Sequence, residues 1–493
     1  MRKIFLVSTG IGLALAGSST AVAQYAEDAL RFSQFGLGVS ARSLGMGNAT
    51  IGVANDFSAL FTNPAGLAQQ RSYEFSIGLS GFDYGDNATF FGNQMKSDNS
   101  STTLNNLGVV YPIPTSRGAL TFAFGFGRIA DYTTGVSFSG FNPTSSIVSS
   151  MTPTTNLNSL SYADQQNVFD NNMPYQLFLA DFDSVSGKLV PLVRDSVQQS
   201  ATVLESGGVN YYSFGGAMDI SRSLSIGVGL NIVSGSYSYD RQYAETDPLN
   251  VHNVYIPGVT TDLNQFSYES TIKSNLNGFN ALFGILYRKQ GLMKLGLTVR
   301  TPTVYNISED FTDAGTSSFD NGDTYSISYP GTTSYRIITP YVLSGGASFQ
   351  VFDWLMLAGD AEYTDWTQLQ FDSDNPDLVD ENREIKQIFR ATTNLRGGAE
   401  ITLWDLGLQL RGGLIWNPSP YQADANTHDY DQLYYTAGAG IMLEQSTTLN
   451  IAYERGAWKT FRDNYYIDNL VSASTTSEKI LTNNFNATLS YRF

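Results

Sequence analysis

Every second residue is apolar in stretch after stretch of this chain. After Gln24 no unbroken apolar run approaches the ~20 residues of a membrane helix. In ALTFAFGFG, Leu120, Phe122, Phe124 and Phe126 share one face, with Thr121, Ala123, Gly125 and Gly127 on the other. In SLSIGVGLNIV, Leu224, Ile226, Val228, Leu230 and Ile232 alternate with Ser223, Ser225, Gly227, Gly229 and Asn231. TTLNIAY repeats the pattern with Leu449, Ile451 and Tyr453. A period of two is that of a β-strand. A soluble sandwich and a membrane barrel both produce it, but in lipid the sheet must close, because an unpaired edge cannot face hydrocarbon.

The ends of the chain choose between them. MRKIFLVSTGIGLALAGSSTAVAQ has a basic start (Arg2, Lys3), an apolar run from Ile4 to Ala16 and an Ala21-Val22-Ala23 cleavage site. Residues 1–23 therefore read as a secretory signal peptide. In the last ten residues, NFNATLSYRF, Phe485, Ala487, Leu489, Tyr491 and Phe493 share a face opposite Asn486, Thr488, Ser490 and Arg492. An alternating final strand with a terminal Phe resembles the C-terminal assembly signal of bacterial outer-membrane barrels. Phe485, Leu489, Tyr491 and Phe493 are its expected residues, and the barrel-assembly machinery their expected partner. The expected location is the outer membrane of a Gram-negative bacterium, among outer-membrane lipid and lipopolysaccharide.

Composition removes other classes. The chain has no Cys, so thiolate metal sites and disulfides are absent, and two histidines (His252, His428) leave little for a metal cluster or a Ser-His-Asp triad. The net charge of −17 becomes −19 without Arg2 and Lys3, which argues against nucleic acid as a partner. No metal or cofactor is expected. Abundant Tyr (29), Phe (30) and Gly (46) suit a wall in which alternate residues face lipid.

The connections count the strands. Six tight turns stand out, at YPIPTSRG (111–118), ISRS (220–223), RKQGLMK (288–294), VFDW (351–354), LWDLG (403–407) and EQST (444–447). Seven longer polar stretches lie around them, near 85–103, 139–206, 245–263, 306–333, 367–383, 417–429 and 458–477. Short periplasmic turns and long outer loops are the outer-membrane pattern. Six of one and seven of the other imply fourteen strands, so the fold class is an all-β, antiparallel transmembrane barrel over residues 72–493. Its largest outer loop spans about 139–206. A fourteen-stranded lumen has room for an insert, and residues 24–71, before the first strand, are the candidate.

This segment contains DFSALFTNPAGLA (Asp56–Ala68). Asp56 can cap a short helix, and Asn63 before Pro64 ends it. The same pair then serves as N-cap and first residue of a new helical turn. Two short helices at an angle make a compact plug. Gly45, Gly47 and Gly52 do not have the spacing of a dinucleotide loop, and no βαβ unit follows.

The run GVSARSLGMGNATIGVANDFSALFTNPAGLA (38–68) resembles the N-terminal hatch of the FadL/TodX family of outer-membrane hydrophobic-compound transporters, Bacteroidota-type members above all. The hatch motif is Asn63, Pro64 and Ala65. YRKQGLMKLGLTVRTPT (287–303), TPYVLSGGASFQVFDWLMLAGDAEYTDW (339–366), LQLRGGLIWNPSPY (408–421) and YYTAGAGI (434–441) are similar to further family blocks, with Val299 where an aromatic residue usually precedes Arg300. The resemblance implies a fourteen-stranded monomeric barrel with a mostly helical hatch in its lumen. It implies passive uptake of hydrophobic small molecules, long-chain fatty acids or aromatic hydrocarbons, gated by hatch movement, with no enzymatic step. Expected ligand contacts are Phe32, Phe35, Leu44, Met46, Phe57, Leu60 and Phe61; packing of the hatch against the wall is the alternative role for each. Sideways release at a kinked strand would draw on weak pairing at Gly125 and Gly127. The family also includes PorV-like proteins, docking components of type IX secretion, and docking is the alternative function. A barrel phospholipase is disfavoured because both histidines fall in or beside outer loops.

Two outer features complete the reading. MPYQLFLADFDSVSGKLVPLV (173–193) is apolar for a loop and forms either a capture groove or a small core of its own. The acidic stretches 308–323 and 371–384 offer carboxylates for calcium, but they lack EF-hand spacing and read as solvated loops.

Overall fold

The computed structural model describes residues 26–36, 38–289, 291–373, 376–422, 430–444, 446–467, 470 and 474–493. The expected signal peptide and His428 lie outside these residues.

Fourteen antiparallel strands form the wall. β1 (Glu74–Phe90) and β2 (Asn93–Ile113) make the first hairpin. β3 is split into Leu120–Asp131 and Thr134–Asn142. β4 (Val197–Asp219), β5 (Leu224–Thr246) and β6 (Val259–Lys289) are continuous. β7 (Met293–Arg300, Val304–Phe319) and β8 (Thr324–Ile338, Val342–Phe352) are interrupted at Pro302 and Pro340. Proline cannot donate to the ladder, so each break falls where the ring stands. β9 (Leu355–Asp365, Gln370–Asp372), β10 (Ala391–Leu403) and β11 (Leu408–Asn417) follow. β12 (Gln432–Glu444), β13 (Thr447–Asp463) and β14 (Thr475–Arg492) complete the wall. β14 returns to β1, from Glu74↔Arg492 to Thr89↔Ser477, and the sheet has no edge.

The side-chain pattern is inverted relative to a soluble protein. Phe75, Ile77, Leu79, Leu107, Val109, Phe124, Phe214, Leu297 and Leu489 are exposed on the outer face, while Ser76, Asn106, Thr121, Ser213 and Asn486 are buried inside. In water such a belt would aggregate; in lipid it is the solvent-matched face. Tyr73 stacks on Phe493 (centroids 5.5 Å) and lies tilted against Tyr111 (4.9 Å), and Phe352 stacks on Trp354 (5.3 Å), forming an aromatic girdle near the short turns.

The wall extends well beyond the membrane. A tilted spanning strand needs about 9–11 residues, and β6 has 31. The polar stretches expected as loops near 85–103 and 306–333 are paired strands: β1–β2 pairing runs to Phe90↔Asn93, and β7–β8 pairing to Ser318↔Thr324. Above the bilayer neither face meets lipid. The hydrophobic alternation that marks a strand therefore stops while the backbone ladder continues. The largest connection, 143–196, holds a helix (Tyr162–Asn171) and a small hairpin (Ala180–Asp183, Lys188–Pro191).

Inside the lumen lie α1 (Ala26–Ser33), α2 (Ala41–Gly45), α3 (Ala59–Thr62) and a 3-10 turn (Pro64–Gln69). Above them α4 (Pro376–Ile388), from the β9–β10 connection, dips toward α1.

Candidate functional site

The hatch is seated by polar groups that the wall turns inward. Glu74 accepts from the Phe57 amide at 3.1 Å and from Gln70 Nε2 at 2.8 Å. Asp360 accepts from the Ile51 amide at 2.9 Å. Glu400 receives Arg42 Nε at 3.1 Å and Arg411 Nε at 2.7 Å. Thr488 accepts from the Ala41 amide at 3.0 Å, and Thr436 from Gly47 at 3.1 Å. The bonds to Ala41, Ile51 and Phe57 satisfy hatch amides that the short helices leave unpaired.

Asn63 is the pin between hatch and wall. It is extended (φ −144°, ψ 96°) between α3 and the 3-10 turn, and its Oδ1 accepts from the Ala65 amide at 3.1 Å. Its Nδ2 donates to Ile51 O at 2.9 Å and to Ile285 O of β6 at 3.2 Å. A Cβ on wall residue Gly284 would stand 2.1 Å from Asn63 Oδ1, so only glycine allows this approach.

A cavity of about 440 Å³ lies beside α1, above this seat. Leu30 and Phe35 line it from the hatch. Phe82, Tyr84, Trp366, Tyr421, Tyr434 and Trp458 line it from the wall and loops, together with Arg300, Glu362 and Arg396. Glu27, Arg31, Asp131, Glu205 and Glu454 also line it, so aromatic rings alternate with charged and polar groups. α1 is held against α4. Glu381 of α4 accepts from the Ala26 amide at 2.8 Å, and Leu378, Ile385 and Phe389 join Ala26, Ala29 and Leu30 in one core. Burial pushes the carboxyls of Glu27 and Glu381 up to about 7 each.

The cavity abuts a break in the wall. β2–β3 pairing ends at Asn106↔Gly127, and β3 is bulged against β4 between Arg128 and Ala130. Beyond that point side chains bridge the strands: Ser101 Oγ to Asp131 Oδ2 (3.0 Å), Asn99 Nδ2 to Thr134 O (2.9 Å) and Ser97 Oγ to Gly135 O (2.9 Å). Ala130 to Thr134 line the cavity, and the hatch amide of Gly36 donates to Ile129 O at 3.4 Å.

Of the seven residues expected to touch ligand, Phe35 lies on the cavity. Phe32 packs edge-on to Tyr132 and Tyr237 (5.7 and 5.6 Å). Leu44 packs with Ala41 and Ala452, and Met46 is fully buried against Gly398. Phe57, Leu60 and Phe61 face Gly108, Gly215 and Gly127 of the wall. Gly125 is in register with Gly108, and a Cβ there would meet Phe57 at 2.4 Å; Gly127 is the last paired residue before the break. Phe485, Leu489, Tyr491 and Phe493 point outward from β14. The 173–193 segment turns Leu177, Leu179 and Val193 into a core of the outer loops with Phe266 and Phe319. Arg300, Tyr132, Trp366 and Tyr421 were not among the expected site residues. The one sequence signal was Arg300 before Pro302, where the strand must break. Among the described residues no group of three or more His, Asp or Glu is placed to hold a metal ion.

A family model described as outer membrane protein transport protein (OMPP1/FadL/TodX) matches residues 201–493. The chain belongs to this family. The FadL/TodX match covers the wall from β4 to the C-terminus, and the hatch precedes it. The fold is that of the toluene transporter TodX of P. putida, at 14% identity over 93% of this chain and 99% of that one, with a TM-score of 0.55. A FadL homologue of Pseudomonas aeruginosa aligns at 15% identity over 93% and 99% of the chains, TM-score 0.54. A comparison with curated protein sequences gives no match. The closed fourteen-stranded wall and the family together make this an outer-membrane protein that carries hydrophobic compounds.

Proposed function

We infer that the barrel takes up hydrophobic small molecules passively, long-chain fatty acids or aromatic hydrocarbons, and that movement of the hatch opens the way. One observation carries the reading: a cavity lined in part by aromatic rings lies between a hatch seated by hydrogen bonds and a break in the wall. An aqueous pore gives an apolar solute nowhere favourable to bind; a lined cavity does, at ~25 cal/mol per Å² of apolar surface removed from water. TodX, whose fold this chain shares, is a monoaromatic hydrocarbon channel. Solute enters past α4 and the outer loops, rests against Phe35, and leaves through the β2–β3 break when α1 shifts. No catalytic step is part of this path.

Mass spectrometry of the protein purified in mild detergent tests the ligand class. Co-purifying acids or hydrocarbons support uptake, whereas large secreted proteins recovered with a lipid-free barrel would favour docking of exported cargo. Deleting Gln24 to Ala68 tests the gate: the barrel should still fold and should conduct ions in planar bilayers. Conductance no greater than that of the full chain would overturn the plug.

A further inference from the structure

The six short turns divide the periplasmic rim by charge. The β2–β3, β4–β5 and β6–β7 turns are neighbours, since β3 pairs with β4 and β5 with β6. They carry Arg117, Arg222, Arg288 and Lys289. Asp219, at the end of β4, is paired with Arg288 and Arg71. Arg117, Arg222 and Lys289 are exposed, and among the described residues they form no ion pair. On the other half of the rim β9 pairs with β10 and β11 with β12, so the β8–β9, β10–β11 and β12–β13 turns are neighbours in turn. They carry Asp353, Asp405 and Glu444 and no basic residue. Exposed charges at turns add little to stability, so this sorting points outward, to what the rim meets.

Apolar side chains on the same turns identify it. Ile220 and Leu292 are exposed beside the basic residues, and Tyr111, also exposed, belongs to the aromatic girdle with Tyr73 and Phe493. A rim that carries exposed aliphatic, aromatic and cationic side chains together stands in the headgroup layer of the membrane. Neighbouring turns are two strands apart, about 10 Å, so a phosphate between them is met by a cation from either side. We propose that the basic half of the rim holds anionic phospholipid of the inner leaflet, its phosphate taken by Arg117 with Arg222 or by Arg222 with Lys289. Arginine offers paired N–H donors to phosphate oxygens and lysine a point charge. The acidic half, with Trp354 and Trp404 exposed at its turns, repels the same head and leaves its place to zwitterionic lipid. Arg117 stands on the turn that joins β2 to β3, so anionic lipid is held below the break between those strands. This goes beyond the uptake inferred above and depends only on the barrel's place in the outer membrane.

The test is native mass spectrometry of the full-length barrel in neutral detergent, titrated with phosphatidylglycerol or with phosphatidylcholine of identical chains. Wild type should bind the anionic lipid about tenfold more tightly or better. A basic residue near an anionic membrane surface is worth about fivefold. Arg117→Gln, Arg222→Gln and Lys289→Gln should each lower the preference by up to that factor, and the triple variant should bind both lipids alike. Asp353→Asn combined with Asp405→Asn and Glu444→Gln should leave the preference at least as high; a preference lost there would overturn the assignment to the basic half. Retention of the heat-modifiable gel shift shows that each variant is folded. Inorganic phosphate should displace the anionic lipid no better than chloride at the same ionic strength. Displacement by phosphate alone would assign the site to a free anion and overturn the lipid. Equal binding of the two lipids by wild type, or an undiminished preference in the triple variant, overturns the proposal and leaves the uptake reading standing.

Discussion

Arg42 of the hatch and Glu400 of the wall form a two-point contact, Nε to Oε2 at 3.1 Å and Nη2 to Oε1 at 3.3 Å. Arg411, buried in the wall, shares the carboxylate at 2.7 Å. Removing the anion leaves two guanidinium groups together in a low-dielectric site, a change that costs ~3–5 kcal/mol at buried pairs. Glu400→Gln should therefore unseat α2. The expected result is rapid proteolysis within residues 38–70 and raised bilayer conductance, with the barrel still heat-modifiable. Arg42→Met should be milder, because Arg411 still neutralises Glu400. A hatch as protease-resistant in Glu400→Gln as in wild type would show that this pair does not hold it.

Asn63 makes three bonds that no other side chain of its size reproduces. Asn63→Asp keeps an acceptor for Ala65 but cannot donate to Ile51 O and Ile285 O. Buried groups left unpaired cost about 1–3 kcal/mol each, so the corner between α3 and the 3-10 turn should loosen. Gly284→Ala should produce the same phenotype from the wall side, since its Cβ would stand 2.1 Å from Asn63 Oδ1. If Gly284→Ala conducts no more than wild type, the clash has been absorbed by the wall.

The docking of α1 should depend on pH. Glu27 and Glu381 have an ordinary carboxyl pKa of 4.5 when undocked and about 7 when docked, in both cases chiefly through burial. The docked state therefore prefers the protonated acids. Its stability is fully present below about 4.5, falls as pH rises toward 7, and is flat beyond. Asp28 and Glu384 add to the effect at Glu27 and Glu381 respectively, while Arg31 opposes it at Glu27. Hydrogen exchange of residues 26–36, corrected for intrinsic rates, should show more protection at pH 5 than at pH 8. Glu381→Gln, which still accepts from Ala26, should reduce the difference and leave the part due to Glu27. Protection that increases with pH would contradict the assignment.

Legibility in the sequence followed what each residue must solve locally. Phe485 and Asn486 reveal their faces because lipid and lumen impose opposite polarity on neighbours. The Asn63-Pro64 break is visible because proline restricts the residue before it. The hairpin at Phe91-Gly92 was hidden, since above the bilayer both faces of β1 and β2 are polar and only the backbone ladder distinguishes strand from loop. The cavity was hidden for a different reason. Phe35 and Arg300 meet only once the barrel has closed around the hatch, and Trp366 and Tyr421 reach it from separate connections. Nothing in the local sequence distinguishes Phe35, on the cavity, from Phe57, which fills the hollow left by Gly108 and Gly125.

The break between β2 and β3 offers a direct test of where solute leaves. A Cβ on Gly135 would stand 3.4 Å from the Asn99 Cβ, close to the 3.5–4.5 Å spacing of a disulfide. The chain has no cysteine of its own, so Asn99→Cys with Gly135→Cys gives a single defined pair. Oxidation would replace the Asn99 side-chain bridge to Thr134 O with a covalent one and fix the width of the gap. If solute passes sideways here, uptake of a labelled hydrophobic compound by cells should fall about tenfold on oxidation and recover with dithiothreitol. Neither single cysteine variant should respond. Uptake that persists through a complete crosslink would direct the exit downward past the hatch, and the seat at Asn63 and Glu400 would then be the only gate a solute meets.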